Sequence, residues 1–160
     1  NSNFFHKKTT IIRPFNVFGP GMALNDYRII PNITRSLILN EQLKIYNTGN
    51  QTRTYCYVSD AICGFFKTIL KDELFGVYNI GNDEGEISVI DLVKIVEEVM
   101  NVKLNYITSS YPKEYPPDEP RRRCPDINKA KKNLNYYPKI SIKEGLYNHF
   151  SWAKKNYKID

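Results

Sequence analysis

What most constrains this chain is an alternation of two hydrophobic periods along its length. Thr9-Thr10-Ile11-Ile12-Arg13-Pro14-Phe15 is a β-branched run stopped by proline, and it reads as a buried strand. Asn16 to Arg28, with Gly19-Pro20-Gly21, reads as a loop. Ile29 to Leu39 repeats apolar residues at helical spacing (Ile30, Ile33, Leu37), with Pro31 suited to a first turn. Leu43 to Tyr46 and Arg53 to Val58 are strand-like, with Asn47-Thr48-Gly49-Asn50 as the turn between them. Ser59 is placed to cap a helix that buries Ile62, Phe65, Phe66, Ile69 and Leu70. Val77 to Ile80 is a short strand closed by Gly81. Ser88 with Asp91 opens a second helix carrying Leu92, Val93, Val96 and Val99. Lys103 to Ile107 is a further strand candidate, and Asp126 caps a short helix with Ile127, Ala130 and Leu134. Ser141 and Glu144 form a capping box for the last helix, which buries Ile142, Leu146, Phe150 and Ala153. Strands alternating with helices predict an α/β fold.

The 160 residues, 41% of them hydrophobic, are enough to bury one sizeable core. No run approaches the ~18 uncharged apolar residues of a membrane span, so no membrane partner is expected. Asn1 to Lys8 lack the apolar stretch and cleavage site of a secretory signal. Cys56, Cys63 and Cys124 are odd in number and form no C-x-x-C pair, so reduced thiols and a cytoplasmic location are expected. The net charge of +6 is spread along the chain except at Arg121-Arg122-Arg123. A nucleic-acid partner would need a broader basic stripe with interleaved aromatics, and none is expected. Tyr111 to Pro120 is proline-rich and reads as an extended surface loop. His6 and His149 are the only histidines; each is read as structural or solvated, and neither a nucleophilic triad nor a metal cluster is apparent.

Three polar clusters remain. Arg13 to Gly21 lies at the carboxyl end of a predicted strand, where open α/β sheets bind ligands; a plain strand-to-loop turn is the other reading. In the second cluster, Tyr46 offers a ring to a base and Arg53, beyond a turn, a guanidinium to a pyrophosphate, although such a tyrosine alone is more often core. Arg121-Arg122-Arg123-Cys124-Pro125-Asp126 ends the proline-rich loop just before a helix start, a position that suits an anion contact.

Seven motifs in register carry a resemblance. They are Arg13-Pro14-Phe15-Asn16-Val17-Phe18-Gly19-Pro20, Leu24-Asn25-Asp26-Tyr27-Arg28, Leu43-Lys44-Ile45-Tyr46, Gly49-Asn50-Gln51-Thr52-Arg53, Tyr57-Val58-Ser59-Asp60, Tyr78-Asn79-Ile80-Gly81-Asn82 and Arg123-Cys124-Pro125-Asp126-Ile127. From about Thr9 to Trp152 the chain resembles the C-terminal half of an extended short-chain dehydrogenase/reductase, a Rossmann-type fold with a substrate-binding subdomain. Within that group Asn25-Asp26-x-Arg28 and Arg-x-Pro-Asp favour the UDP-glucuronic acid decarboxylases over sister dehydratases and epimerases.

The resemblance implies that residues 1–20 hold the last Rossmann-core strand and its following loop. Residues 21–160 would be mostly sugar-nucleotide-binding region, with strand 76–80 joining the core sheet. By similarity Asn16 contacts the pyrophosphate, Tyr46 the uracil or its ribose, and Arg53 the phosphates. Phe15 and Val17 lie against the nicotinamide end of NAD, Arg28 lies near cofactor and substrate, and Arg123 is the catalytic residue facing the sugar carboxylate. Family members oxidise the sugar C4 hydroxyl with NAD, lose carbon dioxide, and reduce the ketone again. The chain departs from the pattern at Ala23, where histidine is common, and at Val17, where threonine is common. Its eight glycines contain no G-x-x-G-x-x-G spacing, and none of its twelve tyrosines has a lysine four residues on. The chain is therefore expected to be a fragment that begins just after the catalytic base, inactive alone, with most of the NAD site in an N-terminal half. Its expected partners are a UDP-sugar and that half, or a second copy met through exposed strand edges. The alternatives are a fragment of a dTDP-glucose 4,6-dehydratase or a sugar-nucleotide 4-epimerase, or a non-catalytic sugar-nucleotide-binding module.

Overall fold

The computed structural model describes residues 9–71, 75–113 and 119–157. Residues 1–8, His6 among them, and 114–118 of the proline-rich stretch lie outside the described residues. In chain order the elements are β1 (Thr9–Pro14), β2 (Val17–Phe18), α1 (Ile29–Leu39), β3 (Leu43–Tyr46), β4 (Thr52–Arg53) and β5 (Cys56–Tyr57). Then follow α2 (Val58–Ile69), β6 (Phe75–Ile80), β7 (Ile87–Ser88), α3 (Val89–Met100) and β8 (Tyr106–Ser109). β9 (Arg122–Arg123), α4 (Asn128–Leu134) and α5 (Ile142–Asn156) complete the chain.

Pairing is mostly parallel and joins distant segments. β1 runs beside β6 with Thr9 opposite Phe75 and Pro14 opposite Ile80. β2 pairs with β5 and β3 with β8, both parallel. β4 is the centre of a three-stranded sheet, antiparallel to β7 and parallel to β9. Parallel neighbours need long crossovers, and helices supply most of them.

Two cores result. One gathers Ile30 and Ile33 of α1, Leu43 and Ile45 of β3, Leu92, Val93 and Val96 of α3, and Leu146 and Phe150 of α5. The other packs Tyr78 and Ile80 of β6 against Cys56, Ile127, Ala130 and Tyr136. A fully buried Leu or Phe stabilises the fold by about 1.5–3 kcal/mol. Ser88 and Ser141 cap α3 and α5 as their sequence patterns predict, accepting from Asp91 N and Glu144 N. α1, α3 and α4 end on Asn40, Asn101 and Asn135, each in the left-handed region that asparagine tolerates.

The structure corrects several expectations. β1 is a strand but not a buried one: Ile11 is 45% exposed, and β6 is its only strand neighbour among the described residues. α2 begins at Val58 with Tyr57 at its N-cap, so Ser59 lies inside the helix. Its buried face is not the predicted one: Asp60, Ala61, Gly64 and Thr68 are buried and Phe65 packs against the second core, whereas Ile62, Phe66, Ile69 and Leu70 are 45%, 61%, 71% and 82% exposed. The small face wins because it fits closely, since a Cβ on Gly64 would come within 2.6 Å of Ile80 and 2.9 Å of the Tyr136 ring. Asp60 adds specific bonds, accepting Lys139 N at 3.0 Å and Ile140 N at 2.9 Å. β8 starts at Tyr106 rather than Lys103, because Leu104 N is drawn to Glu97 Oε1 at 2.9 Å instead of to a strand partner. Asp126 bonds Asn128 N, but Ile127 holds the N-cap position of α4.

No helix among the described residues is long and apolar enough to cross a membrane.

Candidate binding pocket

A cleft of about 360 Å³ opens where β2, β3, β4, β9 and the N-terminus of α1 converge. It gathers Asn16, Val17, Arg28, Tyr46, Arg53 and Arg123, six candidate site residues from segments far apart in the chain. Phe15 is not on its lining; it packs at the end of β6, where a Cβ on Gly81 would come within 2.9 Å of the Phe15 Cβ and 3.1 Å of Pro125. That close approach needs glycine, and it seats the Arg-x-Pro-Asp segment against the end of β1. Asn79 Nδ2 holds the same segment, donating to Asp126 O at 2.9 Å.

One wall is aromatic. Strand alternation on β3 buries Leu43 and Ile45 and turns Lys44 and Tyr46 the other way, toward the cleft. Tyr46 meets Tyr111 with ring centroids 5.6 Å apart and planes tilted by 36°. Burial first, and then the Glu119 carboxylate, push the Tyr111 phenol above its ordinary range.

The opposite wall is built on charge. Arg53 is 7% exposed, and its guanidinium donates to Thr52 O, Arg121 O, Pro120 O and, at 2.5 Å, Glu119 Oε1. Asn16, in the left-handed region at φ 45°, donates its amide to Thr54 O at 2.7 Å and Arg123 O at 3.2 Å. Arg28 pairs with Asp26 at the mouth of the cleft. Burial raises the Asp26 carboxyl, but its hydrogen bonds from Arg28 outweigh this and hold it below the usual range.

Within the arginine run, strand geometry separates the roles. Arg122 turns to Glu86 through two bonds of 3.0 and 2.7 Å, while Arg123 turns into the cleft. The lining thus holds four cationic side chains and two carboxylates. Asp26 answers Arg28 and Glu119 answers Arg53, so Lys44 and Arg123 are left with no counter-ion among the described residues. Such a cleft attracts a ligand carrying about two negative charges and an aromatic or apolar face. Lys44, Tyr111 and Glu119 escaped sequence reading, although Lys44 shares a strand face with Tyr46 and was detectable on that ground.

Helix starts at Ile29, Val58, Val89, Asn128 and Ile142 each lack a preceding glycine turn, so no dinucleotide-phosphate cradle lies among the described residues.

Fold and pocket place the chain among the Rossmann-type, extended short-chain dehydrogenase/reductases. The crystal structure of UDP-glucuronic acid 4-epimerase from Bacillus cereus, in complex with UDP-glucuronic acid and NAD, superposes with a TM-score of 0.82 at 25% identity, covering 92% of this chain and 46% of that one. The profile of the NAD dependent epimerase/dehydratase family matches residues 4–81, and the chain belongs to that family. It is 38% identical over 138 residues to UDP-glucuronic acid decarboxylase 5 of Arabidopsis thaliana, covering 85% of this chain and 38% of that protein. It is 31% identical over 147 residues to UDP-glucuronic acid decarboxylase 1 of Xenopus tropicalis, covering 91% of this chain and 33% of that protein. The chain thus spans well under half the length of these relatives.

Proposed function

We propose that this chain supplies the sugar-nucleotide pocket of an NAD-dependent UDP-glucuronate decarboxylase, which converts UDP-glucuronate to UDP-xylose and carbon dioxide through a 4-keto sugar. The observation that carries the reading is the pair of cations without a counter-ion among the described residues, Lys44 and Arg123, beside the Tyr46–Tyr111 wall. A uridine diphosphate bearing a carboxylated sugar has the matching parts: a flat base, a charged diphosphate and a carboxylate.

In this reading Tyr46 and Tyr111 take the uridine and Lys44 the diphosphate, with Asn16 and Arg53 bordering it. Arg123 takes the sugar carboxylate. A cation there orients the carboxylate but must not over-stabilise it, since only contacts that strengthen toward the transition state raise the rate. Val17 and Arg28 lie where the nicotinamide end of NAD would approach, with Phe15 just outside the lining. These three do not make a dinucleotide site by themselves. The work of this chain is to bind and orient the sugar nucleotide. A UDP-glucuronate 4-epimerase is the second reading, favoured by the close superposition on the Bacillus cereus enzyme.

Isothermal titration of the chain tests the pocket. UDP-glucuronate is expected to bind more tightly than UDP, and Arg123→Ala to remove the difference. Absence of UDP-sugar binding, or salt-sensitive RNA binding in its place, would overturn the reading.

A further inference from the structure

The segment from Met22 to Arg28, which leads into α1, places four residues on the cleft: Met22, Asp26, Tyr27 and Arg28. Its backbone bonds itself weakly, with Asp26 N reaching Ala23 O at a long 3.4 Å. Three side chains grip its carbonyls. Asn32 Nδ2 donates to Tyr27 O at 2.9 Å and Arg35 Nη1 to Leu24 O at 3.4 Å. Both of these sit on α1, the helix the segment runs into, and move with it. The third grip comes from a separate element: Tyr157, just beyond α5, donates its hydroxyl to Met22 O across 135 positions of sequence.

Tyr157 is itself well seated. Its N–H closes α5 by donating to Ala153 O at 2.9 Å, and its ring meets Trp152 edge-on, with centroids 5.3 Å apart and planes at 88°. Burial raises its phenol above the ordinary value, so the hydroxyl keeps its proton at neutral pH. The Met22 side chain packs against the first core and also lines the cleft, so fixing its carbonyl fixes the start of the segment. Downstream, Arg28 is tied to Asp26 by bonds of 2.8 and 2.5 Å, and the pair moves with the backbone that carries it. With its side chain 59% exposed, Arg28 takes its direction from that backbone rather than from packing.

We propose that Tyr157 is a positioning residue of the cleft, whose hold on Met22 O sets the segment that presents Arg28 to the sugar nucleotide. Without that hold the segment samples conformations in which Arg28 is turned away, and apparent affinity falls with the ligand-ready fraction. A neutral hydroxyl–carbonyl bond shifts such an equilibrium by about two- to twelvefold, which bounds the effect.

This inference rests on the UDP-glucuronate reading, and its experiment separates the two. The 160-residue chain is isotopically labelled at its methionine methyls; Met22 and Met100 are the only methionines, so the NMR spectrum holds two lines, assigned with Met22→Leu. UDP-glucuronate is titrated calorimetrically into wild type, Tyr157→Phe, Arg28→Gln and the double variant. Tyr157→Phe keeps the ring against Trp152, and thermal melts together with the Met100 line report that the fold is intact. In Tyr157→Phe the Met22 line is expected to shift or broaden, and affinity to fall about three- to tenfold. In the Arg28→Gln background the same change is expected to cost less than about 1.5-fold. An unmoved Met22 line, an unchanged affinity, or a loss that persists in full without Arg28 would overturn the proposal and leave the pocket reading intact. A folded wild-type chain that binds no UDP-glucuronate would overturn the pocket reading and the presentation of Arg28 with it, whereas a shifted Met22 line would still show the hold on the segment.

Discussion

The imidazole Nε2 of His149 lies 2.9 Å from the Thr34 hydroxyl, joining α5 to α1 inside the core. Thr34 also donates to Ile30 O at 2.8 Å, and which of hydroxyl and Nε2 donates in the pair between them follows the ring tautomer. Nδ1 is buried and makes no hydrogen bond of good geometry among the described residues. Burial holds the imidazole below its ordinary value of 6.5, an effect the Gly19 backbone only partly offsets. Below that pH the unfolded chain binds more protons than the folded one, so stability is full above about 6.5 and falls as the solution is acidified. The urea midpoint is expected to drop between about pH 7.5 and 5.5, by up to about 1.4 kcal/mol per pH unit. His149→Gln keeps a donor for Thr34 and should flatten that step. An unchanged slope in the variant would show that another group is responsible.

Asp60 shows what a buried carboxylate does when two backbone amides converge on it. Both Lys139 N and Ile140 N donate to its Oδ2, fixing the turn that leads into α5. Asp60→Ala leaves those amides without an acceptor and should cost about 2–4 kcal/mol in chemical denaturation. A loss below about 1 kcal/mol would mean that water replaces the carboxylate freely.

The outward face of α2 is a hazard for the chain in solution. Ile62, Phe66, Ile69 and Leu70, with Phe75 of β6, expose their side chains near the edge of β1 that has no strand partner among the described residues. Contiguous apolar surface next to a strand edge favours association. Size exclusion with light scattering should find dimers or larger species at micromolar concentration, and Phe66→Glu with Ile69→Lys should return monomer. A monodisperse wild-type monomer would refute this.

Arg122 and Arg123 are neighbours with separate duties. Arg122 is held at the surface by Glu86 and points away from the cleft. Arg122→Ala should leave UDP-glucuronate affinity within about twofold, as expected for an exposed pair, whereas Arg123→Ala should reduce it about tenfold or more. Equal effects would mean that the run acts as a diffuse positive patch.

Local signals were readable wherever they sit within a few residues of their targets. Ser88 with Asp91 and Ser141 with Glu144 announced two helix starts, and the β-branched run from Thr9 announced β1. The face of α2 was not readable, because periodicity finds the most apolar stripe, whereas packing chose the side where Gly64 and Ala61 allow close approach. In the cleft, the candidate site residues other than Phe15 came together on one lining: Asn16, Val17, Arg28, Tyr46, Arg53 and Arg123. Their hydrogen bonds stayed hidden: nothing near Asn16 in sequence announces a bond to a carbonyl 107 positions away. Glu119 and Tyr111 gain meaning only through Arg53 and Tyr46, which reach them from another part of the chain.

The pairing of β4 with β9 also dictates when the cleft comes into being. Thr52 must wait for Arg122, and Arg53 for Arg123, before either strand has that partner. Contacts of such long sequence separation form late and slowly, after the helices and their local caps. During synthesis the wall of the cleft therefore closes only when most of the chain has left the ribosome. Until then Arg53 is a charge without its carboxylate, and an incomplete chain lacks the grip on Arg123 that the finished one has.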